Sequence, residues 1–242
     1  MELPLLDAGL PAGVRGGFST RAGAPAPLGQ GSPFAGLNLG DHVGDDPGRV
    51  GAHREALRRA VGAHTLMIPT QVHGADVAEV RAGSEHSPQA DALVTRMPGL
   101  ALAVVVADCV PVLLADVGAG VVGVAHAGRP GLLAGIVPAV VAALRDLGAR
   151  ELTASLGPCI CGGCYEVPQD MADDVAVRVP AARSTTRWGT PAVDVGAGVL
   201  AQLAAAGVPA HGVRRCTHES AELYSYRRDG VTGRSAGVVV LA

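Results

Sequence analysis

No lysine occurs anywhere in the 242 residues, so all 19 basic side chains are arginine. That absence excludes Schiff-base chemistry, a lysine-anchored cofactor such as pyridoxal phosphate, and the lysine of a phosphate-binding P-loop. An anionic substrate would have to be held by arginine or by backbone N–H groups. Aromatic residues are scarce at 2%, which leaves valine, leucine and alanine to build the core. Positive charge is not in excess: the formal net charge is -3. Nucleic acid and anionic membrane are therefore not expected as partners. The stretch from Met1 to Gly17 lacks the basic and long apolar segments of a secretion signal. An uninterrupted membrane-length run is missing too, because Asp108 and Asp116 cut the apolar stretch between Leu100 and Ala125 into short pieces. A cytoplasmic protein is expected. Cysteines number only five, odd in a chain too large to need disulfides, so free thiols or metal ligands are expected.

What the chain does have is apolar bulk. Hydrophobic residues make up 48%, enough to bury a sizeable core in one domain spanning residues 1–242. A Pro/Gly-rich stretch over 22–36 reads as a mobile loop. Asp46-Pro47 opens a helix running to about Val61. The segment "LMIPTQVHGADVAEV" predicts two short strands around a turn, with His73 at the turn. Central strands start after Pro98-Gly99, and Gly131 to Leu147 reads as one well-buried helix. "LTASLG" predicts a strand, Pro168–Val179 and Val193–Ala206 helices, and "HGVRRC" and "SAGVVVLA" closing strands. The mixture predicts an α/β or α+β fold with mixed sheets.

The most informative stretch is "VVVADCVPVLLADVGAGVVGVAHAG", Val104 to Gly128. Two apolar segments, Pro111 to Asp116 and Val121 to His126, are joined by the four-residue "VGAG". If Asp116 faces Val121, then Pro111 faces His126, and Cys109 lies two positions further along the first strand. Strand alternation puts Cys109, Pro111 and His126 on one face and Asp108 on the other, where it can anchor by hydrogen bonds. A diagonal pair of this kind is about 7–8 Å apart between backbones, in reach of a shared metal or a thiolate–imidazole pair. A buried free cysteine beside an unrelated histidine fits the hairpin as well.

Two letter matches fail on context. Gly118-Ala-Gly120-Val-Val-Gly123 fits a dinucleotide fingerprint but continues as strand where a helix is required. Gly233-Arg-Ser235-Ala-Gly237 fits a serine nucleophile elbow, but too few residues follow for its helix and partners. The run "CICGGC" holds Cys159, Cys161 and Cys164, and Cys216 offers a fourth thiol. A structural zinc site usually shows two separated ligand pairs, and only one pair is present, so these are expected to be loop thiols and neither ligands nor catalysts.

The ordered motifs "GFSTRAG", "LNLGDHVGDDP", "TQVHGADV", "ADALVTRMPGLALAVVVADCVPVLLAD", "HAG", "LGPCI", "CYEVP" and "LYSYRRDGVTGRSAGVVVL" run from Gly17 to the C-terminus. In them the chain resembles the laccase-domain family, once described as multicopper polyphenol oxidases and later as purine nucleoside phosphorylases. The resemblance implies a single domain of mixed sheets sandwiched by helices. It also implies a zinc site, catalytic in role, formed by His73, Cys109 and His126, with a fourth position open for water or substrate. Copper could occupy the same ligands. Asn38, Arg54, Gln71 and Arg227 are candidate substrate-binding residues, with Arg228 beside them. One departure is Arg129-Pro130, where the family usually has Trp-Arg after "HAG".

The function this implies is a zinc-dependent enzyme acting on purine nucleosides with phosphate: phosphorolysis of adenosine, inosine and methylthioadenosine, or adenosine deamination. Copper-dependent phenol oxidation is the second reading, opposed by only eight histidines without a His-x-His pair. A third is a Cys-His hydrolase with Cys109 as nucleophile and His126 as base, including amide cleavage in cell-wall precursor editing. A non-enzymatic binding module is the fourth. A monomer or small homo-oligomer is expected.

Overall fold

A computed structural model describes residues 3–25, 29, 31–81, 83, 84 and 86–242. In chain order the strands are β1 (Leu5–Leu6), β2 (Val14–Ser19), β3 (Thr65–Met67), β4 (Val77–Glu79), β5 (Ala92–Thr95), β6 (Leu100–Val106), β7 (Val110–Asp116), β8 (Val121–Ala127), β9 (Thr153–Leu156), β10 (Arg183–Thr185), β11 (Pro191–Val193), β12 (Ala210–Gly212) and β13 (Ser235–Leu241). The helices are α1 (Pro47–Ala60), α2 (Arg129–Ala134), α3 (Ile136–Asp146), α4 (Gln169–Arg178), α5 (Val195–Ala205) and α6 (Tyr226–Asp229).

Two mixed sheets carry the fold. One has the order β1-β2-β13-β6-β3 and the other β12-β9-β7-β8-β5-β4, while β10 and β11 form a separate ribbon. Strand alternation assigns every face. Leu100, Leu102 and Val104 of β6 pack with Leu113, Val122 and Val124 of the other sheet, so the two sheets lie face to face. The intervening Ala101, Ala103 and Val105 turn outward to Leu57 of α1 and to Leu37 and Leu39. On the far side Val112, Leu114, Val121 and Ala125 meet Leu132, Val137, Val140, Val141 and Val199 from α2, α3 and α5. The result is a sandwich of sheets between helices, as the resemblance implied. Its middle strands are buried on both faces. That is why the central hairpin reads as a continuous apolar run although its strands are antiparallel.

The hairpin register is the expected one, with Asp116 opposite Val121 and Pro111 opposite His126. Helix α1 also starts where expected, with the Asp46 side chain accepting from the Arg49 N–H. Other expectations need correction. The single helix over 131–147 is two helices, broken at Gly135 in the left-handed region at φ 89°. The two short strands expected around His73 are present, but they belong to different sheets, β3 pairing with β6 and β4 with β5. Only the start of "HGVRRC" is strand, and Val213 to Cys216 form a loop. The mobile loop expected over 22–36 falls partly outside the described residues. Its described end is anchored, the Gly233 N–H donating to Pro33 O and the Tyr224 hydroxyl to Ala35 O. Among the described residues, no helix is long and apolar enough to cross a membrane.

Candidate functional site

Three different turns and strand ends deliver His73, Cys109 and His126 to one point, where one ligand atom from each lies within 4.8 Å of the others. His126 is near the end of β8 and, by alternation with Val122 and Val124, faces the space between the sheets. Its burial is almost complete at 2% exposure. Cys109 stands one residue before β7, and His73 sits in the turn between β3 and β4. The Cys109 Sγ is 4.0 Å from His73 Nε2, and the two imidazole rings meet edge to face with centroids 4.7 Å apart.

The residue that organises this cluster is Asp91, which sequence reasoning did not single out. It is fully buried just before β5. One carboxylate oxygen accepts the His126 Nδ1–H at 2.8 Å and the His73 N–H at 2.9 Å. The other accepts the N–H groups of Val72 at 3.2 Å and Gly74 at 2.7 Å. One side chain thus holds the His73 turn, with His73 itself at φ 61°, and fixes the His126 tautomer. With Nδ1 committed to Asp91, the His126 Nε2 lone pair is free for a cation, the carboxylate–histidine pairing that orients metal ligands. The donor set therefore fits a metal ion: two imidazoles, one thiol, and a carboxylate behind.

The charges agree with that geometry. Burial alone would raise the Asp91 carboxyl, but the hydrogen bonds from His126 and Gly74 hold it below its ordinary value. Burial disfavours the Cys109 thiolate, yet the charge and hydrogen bond of His126, with help from His73, bring its pKa down to about 6. Burial likewise opposes the His126 imidazolium, which the Cys109 and Asp91 charges raise to about 9. Without a metal the pair is therefore an ion pair across neutral pH, the thiolate being lost only as pH falls through the lowered value. In chelator-treated protein, alkylation of Cys109 should reach half its maximal rate near pH 6, where an ordinary thiol does so near ~8.5. A midpoint at the ordinary value would remove the pairing.

Asp108 lies with Cys109 in the bend before β7, outside the strand, and its carboxylate turns to Thr217 and Arg227. Its backbone is left-handed at φ 91°, uncommon for a residue with a side chain. The carboxylate accepts the Thr217 hydroxyl at 2.5 Å and the Arg227 N–H at 2.7 Å. These bonds hold the bend that presents Cys109. Gly128, in "HAG", has an ordinary φ of -83°, but a Cβ there would stand 3.0 Å from both the Cys109 sulfur and His73 Cδ2. Gly128→Ala should therefore fold normally and lower metal affinity, which titration with a competing chelator would read. Unchanged affinity would show that the ligands do not converge there.

A cavity of about 850 Å³ opens over the cluster, within the range of small-molecule sites. Of the sequence candidates, Arg54, Gln71 and Arg227 line it, and Asn38 does not. Asn38 is completely buried, and its amide is consumed by Asp45, by both backbone groups of Gly40 and by the Arg234 N–H. Gln71 lines the wall, but its amide pairs in both directions with the Val105 backbone. Arg228 is also structural, its guanidinium capping the carbonyls of Thr217, Ser220 and Leu223. Arg54 donates to Leu39 O and pairs with Asp41 at 3.0 Å. Arg227 lies over the Tyr165 ring at 5.0 Å. Sequence reasoning missed Tyr165 and Arg234 on this wall. Burial pulls the Arg234 guanidinium below its ordinary value, against the charges of Cys109 and Asp108. The departure at Arg129-Pro130 is accommodated: both residues line the cavity, and Pro130 falls in the first turn of α2, where its missing N–H costs nothing.

Residues 15–242 match the model of the family described as multi-copper polyphenol oxidoreductase laccase. The chain belongs to this family. A Streptomyces coelicolor relative named purine nucleoside phosphorylase is 52% identical over 236 residues, covering 95% of this chain and 96% of that one. A protein of an unknown prokaryotic organism named adenosine deaminase is 37% identical, over 84% of this chain and 86% of its own. The crystal structure of a Neisseria meningitidis protein superimposes with a TM-score of 0.88 at 34% identity, covering 100% of this chain and 99% of that one. In this laccase-like family member the cysteine run divides in two. Cys159 packs against the helical core, whereas Cys161 and Cys164 meet Cys216 and Glu219 in a second cluster, all ligand atoms within 4.8 Å.

Proposed function

We propose that the chain is a zinc-dependent purine nucleoside enzyme that cleaves the glycosidic bond by phosphorolysis and also deaminates adenosine. The observation that carries this reading is the His73–Cys109–His126 cluster at the floor of an arginine-lined cavity, in a family whose relatives are named for these activities. Zinc would be held by His73, Cys109 and His126, and when bound it supplies Lewis acidity and a nucleophile near neutral pH. The protein's own residues do the rest. Asp91 keeps His126 in the ligating tautomer, and Asp108 holds the bend before Cys109. Arg54, Arg129, Arg227 and Arg234 give the cavity the positive lining that a phosphate needs in a chain without lysine. Tyr165, backed by the Arg227 guanidinium, offers a flat wall for a base.

The Cys109–His126 ion pair supports a second reading, a Cys-His hydrolase with Cys109 as nucleophile. The two exclude each other at one atom, since a thiolate bound to a cation is a poor free nucleophile. Phenol oxidation finds less support: among the described residues there are two groups able to hold a metal, and only one of them contains histidine. The test is to incubate adenosine and inosine with and without phosphate and read the products by mass spectrometry. Ribose 1-phosphate and free base are expected with phosphate, and inosine from adenosine without it. Absence of all three products would remove the reading.

A further inference from the structure

We propose a second metal site, structural in role and of the zinc class, formed by Cys161, Cys164 and Cys216 with Glu219 as fourth donor. It lies outside the cavity and does not depend on the nucleoside reading. The four ligand atoms lie within 4.8 Å of one another. Tetrahedral zinc with Zn–S bonds of about 2.3 Å places its sulfurs roughly 3.8 Å apart, so small rotamer shifts complete the shell.

The backbone is arranged for such a site. Cys161-Gly162-Gly163-Cys164 is a tight turn, the N–H groups of Cys164 and Tyr165 both donating to Cys161 O at 3.0 Å. The Cys161 N–H faces the Cys216 sulfur at 3.4 Å. An N–H group aimed at sulfur favours the thiolate, the form that binds a metal. Gly162 is required by packing: a Cβ there would lie 2.4 Å from Ser184 Oγ and 2.9 Å from Asp194 Cβ. Cys216 arrives from 52 residues beyond Cys164 through a bridge between Cys159 and Cys216 and the Thr217 N–H to Cys159 O bond at 3.1 Å. Arg187 pairs with Glu219 beside the turn and offsets the negative charge of the thiolates.

A purely packing role fits these thiols poorly. Cys159 packs against a hydrophobic core and Cys164 is buried, but Cys161 and Cys216 join no hydrophobic cluster among the described residues and remain only half-buried. What the site would do follows from its neighbours. It staples the loop carrying Ile160 and Tyr165, both on the cavity wall, to the loop carrying Thr217. Thr217 in turn bonds Asp108, next to Cys109.

The test is elemental analysis of protein purified without chelator. Wild-type protein should hold two metal equivalents per chain. Cys109→Ala should keep one, and a Cys161→Ser/Cys216→Ser variant should keep the other. Should that double variant not fold, cobalt(II) reconstitution of Cys109→Ala replaces it, and thiolate-to-cobalt charge-transfer absorption is expected. One equivalent in the wild type that Cys109→Ala abolishes would overturn the site. So would the loss of two titratable thiols after denaturation with chelator, which would make Cys161 and Cys164 a disulfide.

Discussion

Asp91→Asn should cost this protein both stability and metal. The Asn amide offers one acceptor oxygen where the carboxylate offers two, and it turns an N–H₂ toward donors. At least one of the N–H groups of Val72, His73 and Gly74, or the His126 Nδ1–H, then loses its partner in a buried site. A buried donor left unpaired costs ~1–3 kcal/mol, and loss of the ionic bond to His126 adds to it. The expected destabilisation is about 3 kcal/mol, a fall in Tm of roughly 6–12 °C for a chain of this size. Metal affinity should drop about 10–100-fold, because the His126 tautomer is no longer set. Calorimetry with and without zinc reads both. Because Asp91 is held below its ordinary pKa, its contribution is present at neutral pH and is lost as pH falls toward that lowered value. A variant with wild-type Tm and zinc content would show that Asp91 organises nothing.

Cys109→Ala should have the largest effect on turnover. It removes one of three donors from the cavity cluster, leaving two imidazoles that bind a cation weakly. If the cation supplies about 4–6 kcal/mol of barrier lowering, nucleoside turnover should fall ~10³–10⁴-fold. The fold should persist, since Cys109 stands outside β7 and the hairpin is held by the β7–β8 register. Elemental analysis and a product assay on the same preparation separate loss of metal from loss of fold. Retained metal with lost turnover would favour the nucleophile reading of Cys109.

The parts legible in the sequence were those fixed by short-range rules. A four-residue loop between apolar runs set the hairpin register, and that register brought His126 and Cys109 to the same end of the hairpin. Asp46-Pro47 marked its helix start for an equally local reason. His73 joined the site only through family resemblance, because its turn spans two sheets and no local spacing encodes that crossing. Asp91 went unnoticed because an acidic residue before an apolar strand looks like any strand-opening turn residue until four donors are seen to surround it. Asn38 illustrates the reverse error: a polar residue in a motif was read as facing substrate, while its amide is spent on the protein's own backbone. For the Cys161–Cys164 pair the sequence offered Cys216 as a single further thiol and no second pair; Glu219 joins the group only through the tertiary fold.

The proposed function requires that His73, Cys109 and His126 hold a metal on which nucleoside turnover depends. The most direct measurement compares metal-free with zinc-reconstituted wild-type protein on adenosine and inosine, with phosphate present and absent, by mass spectrometry. Product is expected only from the reconstituted protein, with ribose 1-phosphate and base appearing when phosphate is supplied. Failure of both forms to turn over a purine nucleoside, with cleavage of an amide or ester by the metal-free protein, would overturn the metal-dependent mechanism.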